Sequence, residues 1–258
     1  MRNGRLYLYS WALAVAVLPA CSYGADAAPR YKFYEVGGLG GGLSVFFNWD
    51  YTGGDFTTSP LNSLGQVAGT SVFAADPNLA GSFLWSPGGV SLLLTLPNGA
   101  YDNGGRNANG VNDGGMVVGA SAYGKISSFN NQPFYRAVSW MNGEVTDLGD
   151  LGGGDSWANF VTNSGLIVGY AHNSIPDAYS YYGTQYHAVI WQPGLIDLGT
   201  LGGSDSEAWA GNDSGDVIGI SFLNTPPVPP FNQPQTDAFL WRQGQMIDLV
   251  YRFVKTYS

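Results

Sequence analysis

Histidine occurs twice in the 258-residue chain, at His172 and His187, and cysteine once, at Cys21. Two imidazoles furnish a metal site only with carboxylate help, and a lone histidine more commonly packs or caps. A Ser-His-Asp relay could be drawn from these residues on paper, but no Gly-x-Ser-x-Gly elbow is present to position the serine. The glycine-rich runs at 37–42 and 152–154 are not followed by Lys-Ser/Thr, so they are not phosphate loops. Asp155 and Asp205 stand in Gly-Gly-x-Asp-Ser blocks, a pattern like that of calcium-binding repeats. Calcium takes about six to eight oxygens, and each block supplies one carboxylate. An aspartate that bonds turn N–H groups is the simpler reading, so no metal and no cofactor are expected, with calcium the one ion these blocks suit. A glycan-cleaving enzyme needs two carboxylates about 5 to 10 Å apart, and the regular aspartates single out no such pair. No catalytic residue is assigned.

The remaining candidates are aromatic. Residues 173–186 contain Tyr179, Tyr181, Tyr182 and Tyr186. Exposed tyrosine stacks on sugar rings or anchors a protein partner at low entropic cost. The opposing reading is that these rings pack the segment onto its neighbour. Residues 225–234 are proline-rich around Phe231, an extended segment that serves either as a recognition element or as a stiff surface loop.

These residues are carried by a repeat. Residues 62–69 (NSLGQVAG), 112–119 (NDGGMVVG), 162–169 (TNSGLIVG) and 212–219 (NDSGDVIG) end in glycines spaced by 50. A second block ends in Trp85, Trp140, Trp191 and Trp241. A third follows as VTDLG, IDLG and IDL from Val145, Ile196 and Ile247, and then come the LGGGDS and LGGSDS blocks from Leu151 and Leu201. Units of about 44–96, 97–151, 152–201 and 202–249 result, preceded by an orphan strand at 31–36. In the last unit, alternation and turn residues predict strands at 207–211, 216–222, 237–241 and 245–249. Sixteen of the 19 acidic residues are aspartate, which favours turns over helix interiors. The fold is therefore all-β, with four short antiparallel strands per unit. A sheet cannot bury both faces alone, so the units must stack, either as a four- or five-bladed β-propeller or as an open stack of sheets. Strand parity places the variable connections after each second strand on one edge, together with the Leu-Gly-Gly linkers, where binding loops usually sit.

In this order the blocks resemble the HAF-type extracellular repeat of bacteria over about residues 31–249. The namesake tripeptide is altered, to His187-Ala188-Val189, Asp237-Ala238-Phe239 and Arg136-Ala137-Val138. The resemblance implies export and a repetitive β fold, and it lends no functional residue.

Export is also read from the N-terminus. Arg2 and Arg5 precede an apolar run at 11–18, and Ala25-Asp26-Ala27 offers a cleavage site, so residues 1–27 read as a signal peptide and 28–258 as a single β-repeat domain. The run is short for a transmembrane span, which takes about 20 residues; none is expected in the mature chain. Leu18-Pro19-Ala20-Cys21 resembles a lipidation site. Cleavage would remove the cysteine and shift the formal charge from −9 to −10. With no cluster of basic residues, nucleic acid is not an expected partner. The expected location is extracellular, periplasmic or on the cell surface. The expected role is a non-enzymatic module binding an extracellular glycan or protein through its variable-loop edge. A glycan-active enzyme and a purely structural surface repeat are the alternatives.

Overall fold

The computed structural model describes residues 34, 36–76 except 46–59, 79–99, 107–191, 194–226 and 234–250. The predicted signal peptide, most of the orphan strand and Phe231 lie outside these residues.

Among the described residues all sixteen elements are strands, and they form four antiparallel sheets of four. The first holds β1 (Gly40–Val45), β2 (Val67–Phe73), β3 (Ala80–Ser86) and β4 (Gly89–Leu92). The second holds β5 (Asn107–Val111), β6 (Val117–Ile126), β7 (Pro133–Met141) and β8 (Glu144–Asp147). The third holds β9 (Gly152–Val161), β10 (Ile167–Pro176), β11 (Thr184–Ile190) and β12 (Ile196–Asp197). The fourth holds β13 (Gly202–Gly211), β14 (Val217–Leu223), β15 (Thr236–Arg242) and β16 (Gln245–Asp248). Each predicted strand of the last unit is present. The first begins five residues earlier than the pattern suggested, because Gly202 already pairs with Leu223.

Sheets one to four stack in sequence order, and among the described residues no interface joins the first to the fourth. Among the described residues, then, the stack is not closed into a ring. Burial on both faces explains the paired apolar residues of each second strand. Val117 packs toward the first sheet with Ala68 and Trp140, whereas its neighbour Val118 packs toward the third with Ala158 and Ile167. Linker leucines fill the seams: Leu93 and Leu96 in the first, Leu148 and Leu151 in the second, Leu198 and Leu201 in the third.

The repeated polar residues stitch these seams. Asp155 Oδ1 accepts the Tyr135 N–H at 2.7 Å, and Ser156 Oγ accepts the Ala137 N–H at 2.9 Å while donating to Gly149 O. One unit later, Asp205 accepts from Tyr186 N and Ser206 accepts from Ala188 N and donates to Gly199 O. Each Asp-Ser pair thus clamps the third strand of the preceding sheet. Asp147 and Asp197 cap the linker N–H groups of Gly149 and Gly199 at 2.8 Å.

A second ladder joins the tight turns. Asn62 Nδ2 donates to Asn112 O at 2.9 Å, and Asn112 Nδ2 to Thr162 O at 3.0 Å. The backbone N–H groups of Ser63, Asp113 and Ser164 donate to Asp113, Asn163 and Asp213, at 2.8, 2.9 and 2.9 Å respectively. Asn112 also accepts Met116 N–H through Oδ1 and is 7% exposed, so Asn112→Ala takes the acceptor from the half-buried Met116 N–H and one of two donors from the buried Thr162 carbonyl, which keeps Gly165 N–H. The expected loss is about 2 kcal/mol, read as a drop in Tm of about 4 to 8 °C. Asn212→Ala, at a turn whose side chain serves only itself, should cost about half as much.

Candidate recognition edge

The β6–β7 and β10–β11 hairpins project from the same edge as the linkers, since the linker residue Leu96 donates its N–H to Ser121 of β6 and Leu151 bridges to Asn173 of β10. Their tips are joined. Asn130 Nδ2 donates to Tyr181 O at 2.7 Å, and the Tyr182 hydroxyl donates to Pro133 O at 3.0 Å. Asp177 Oδ1 accepts Tyr179 N–H at 2.8 Å, and Asp177 N–H donates to Gly183 O, so the tip is a hydrogen-bonded turn.

The four candidate tyrosines divide into two pairs. Tyr182 packs against Phe134 at 5.2 Å and against His172 at 5.5 Å, and Tyr186 against Tyr170 at 5.3 Å and His172 at 5.4 Å. These two rings build the base of the hairpin. Tyr179 and Tyr181 point outward, 80% and 64% exposed. Phe129, at the tip of the neighbouring hairpin, is 58% exposed, and Ile126 and Ile175 on the same two hairpins are exposed as well. Phe129 has no place in the repeat. Its signal in the sequence was an aromatic ring set among the turn formers Ser127, Ser128, Asn130 and Asn131.

Beneath the edge the charges are enclosed. Arg136 lies over the Tyr123 ring at 4.7 Å and pairs with Asp150 at 3.1 Å, while the Tyr123 hydroxyl donates to Gly154 O at 2.6 Å. Asp155 is fully buried; Trp157 Nε1 donates to its second oxygen at 2.9 Å. Burial pushes its pKa up to about 7, against the opposing pull of the Tyr135 and Trp157 donors. Asp205 is raised by burial as well. Both weak metal candidates therefore spend a carboxylate oxygen on backbone. Among the described residues no group of three or more His, Cys, Asp or Glu side chains is placed to hold a metal.

The histidines are separate. His172 is buried, its Nδ1 lies 3.1 Å from both Thr184 O and Thr184 Oγ1, and burial lowers its pKa to about 4. His187 Nδ1 sits 2.9 Å from both oxygens of Asp197. Burial raises the Asp197 pKa, but the His187 and Gly199 hydrogen bonds outweigh it and leave the carboxyl below its usual value.

No protein-family model matches the chain, and comparison with curated proteins and with solved structures finds no significant similarity.

At the opposite edge, the tight turns of all four units line one concavity of about 360 Å³ that includes Asn62, Asn112, Thr162 and Asn212. Asp113 and Asp213 lie on its rim, their pKa values lowered chiefly by hydrogen bonds from Ser63 and Ser164. Among the described residues no helix is long and apolar enough to cross a membrane.

Proposed function

We propose that this protein is an exported, non-enzymatic binding module that contacts an extracellular glycan or protein through the hairpin edge. The observation that carries this reading is the exposure of Phe129, Tyr179 and Tyr181 on two hairpins tied together beneath them. Water-exposed aromatic rings on a rigid base offer contact area with little ordering cost on binding. Tyr182 and Tyr186 support this surface from below and are not themselves the contact. Export rests on the signal-like residues 1–27, with a lipid anchor at Cys21 as the attached form, and the resemblance to the HAF-type repeat accords with it. In the same reading the four sheets are blades of a propeller, arrayed around the concavity that all four tight turns line.

The test is a screen of extracellular glycans and surface proteins with the intact chain beside a Phe129→Ala/Tyr179→Ala/Tyr181→Ala variant. The expected result is a ligand whose affinity falls at least about tenfold in the variant, with Tm changed by less than about 2 °C because the three rings are mostly exposed. Equal binding by both proteins would place recognition elsewhere.

A further inference from the structure

The ring of Phe129 is held on one face and free on the other. A β-carbon added to Gly183 would stand 2.7, 2.8 and 3.2 Å from its Cδ2, Cγ and Cε2. An approach in the ring plane cannot be that close to all three atoms, so this point lies above the ring. The Gly183 backbone therefore underlies one face of Phe129. Glycine suits the position twice over, because its φ is +79° and because a side chain there would displace the ring. The backbone beneath is itself fixed: Gly183 N–H donates to Ser180 O, and Gly183 O accepts Asp177 N–H. The bond from Asn130 Nδ2 to Tyr181 O locks the turn that carries the ring. Phe129 is nonetheless 58% exposed, which leaves its outer face to solvent. Two hairpins from different sheets thus assemble one flat apolar plate.

Such a plate discriminates between partners. An aromatic anchor in a protein interface works by filling a pocket that desolvates it fully. A ring seated on its neighbour's backbone has one face already covered and cannot leave its seat to enter a pocket. The C–H face of a pyranose needs only a single ring face, whose negative quadrupole meets the weakly positive sugar hydrogens. The surroundings suit an uncharged, hydroxyl-rich ligand. Lys125 and Asp177 are the only charged residues in 125–133 and 174–184, one of each sign, in a chain of formal charge −9. Exposed neutral groups that can meet hydroxyls are Ser128 and Asn131 on one hairpin, and Tyr179 and Tyr181 on the other.

We infer that the ligand of the hairpin edge is an uncharged glycan, one sugar ring of which stacks on the free face of Phe129, an assignment that rests on the function proposed above. Gly183 is then a positioning residue. It touches no sugar and sets the height and tilt of the plate.

The experiment is calorimetric titration of the intact chain with neutral oligosaccharides of glucose, mannose, xylose and N-acetylglucosamine. Phe129→Leu, Phe129→Trp, Gly183→Ala and the Ile126→Asn/Ile175→Asn double variant are measured beside it. The expected result is that one of these sugars binds and that Phe129→Leu, which keeps an apolar side chain but loses the plate, weakens it at least about tenfold. Phe129→Trp should bind at least as well as the parent and show a fluorescence change on saturation that the parent lacks. Gly183→Ala should weaken binding by tilting the ring, and the isoleucine variant should bind normally. Phe129→Leu alters an exposed side chain, so it decides the matter even where Gly183→Ala lowers the Tm. Equal affinity of Phe129→Leu and the parent overturns the inference. A loss in the isoleucine variant as large as in Phe129→Leu overturns it too, since the contact would then be a broad apolar one. Silence towards all four sugars overturns it as well. If the chain then binds a surface protein that the Phe129→Ala/Tyr179→Ala/Tyr181→Ala variant does not, the hairpin edge keeps its proposed function with a protein as ligand.

Discussion

Gly169→Ala is expected to destabilise the protein by about 3 kcal/mol or more, the range of severe overpacking. A β-carbon at this position would overlap the Trp157 carbonyl oxygen and come within 3.0 Å of Asn159 N, both backbone atoms of the adjacent strand. The cause is a bulge: the β9–β10 register shifts between Val168 and Gly169, driving the Trp157 carbonyl into the space above the glycine. Gly119 meets Asn107 O and Gly219 meets Glu207 O in the same way. None of the three has positive φ, so the requirement is close approach and not backbone conformation. Gly165→Ala supplies the contrast. It has φ +88° with nothing within 4 Å, and its substitution should cost about 1 to 2 kcal/mol from left-handed strain alone. Urea unfolding of the two variants measures the difference. Equal losses at both positions would refute the close-approach account of the 50-residue glycine spacing.

The second large effect concerns Asp155 and pH. Its carboxyl titrates near 7 in the folded protein against 3.8 ordinarily, because it is buried. Between those values the folded chain holds a proton that the unfolded chain has released. Stability is therefore greatest below about pH 4 with respect to this group and falls as pH rises through 7. Each pH unit of that window is worth about 1.4 kcal/mol, so the whole effect is about 4 kcal/mol at most. Asp155→Ala removes the acceptor of the Tyr135 N–H and of the Trp157 indole, an expected loss of about 3 kcal/mol near pH 4. By pH 8 the loss should shrink sharply, since the native protein then carries a buried charge that the variant lacks. Denaturant unfolding of both proteins from pH 4 to 8 tests this. Parallel stability curves for the two would show that Asp155 does not titrate in the window.

Much of this fold was legible in the residues, for a physical reason. A unit repeated four times writes each constraint four times, so Gly119 or Trp140 could be recognised by position without an account of what it touches. The strands and the tight turns followed. The seams did not, because Asp155 and Ser156 bond residues 19 or 20 positions earlier on another sheet, and such pairing leaves no local periodicity. The aspartates read as turn-formers are instead clamps, which is why β9 and β13 begin inside the Leu-Gly-Gly blocks. The candidate edge was half legible. Four tyrosines in one segment marked the hairpin, but the packing of half-buried Tyr182 and Tyr186 around His172 depends on β-strand pairing, and Phe129 sits in a different unit altogether.

Among the described residues every inter-sheet hydrogen bond reaches one unit away and none reaches two. Such a molecule behaves as a short linear polymer, in which a sheet survives only while a neighbour holds it. Opening should begin at the outermost members and travel inward, and amide exchange should be slowest in the second and third sheets, each held from both sides. Any contact that occupied a terminal face would lend its protection to the whole row.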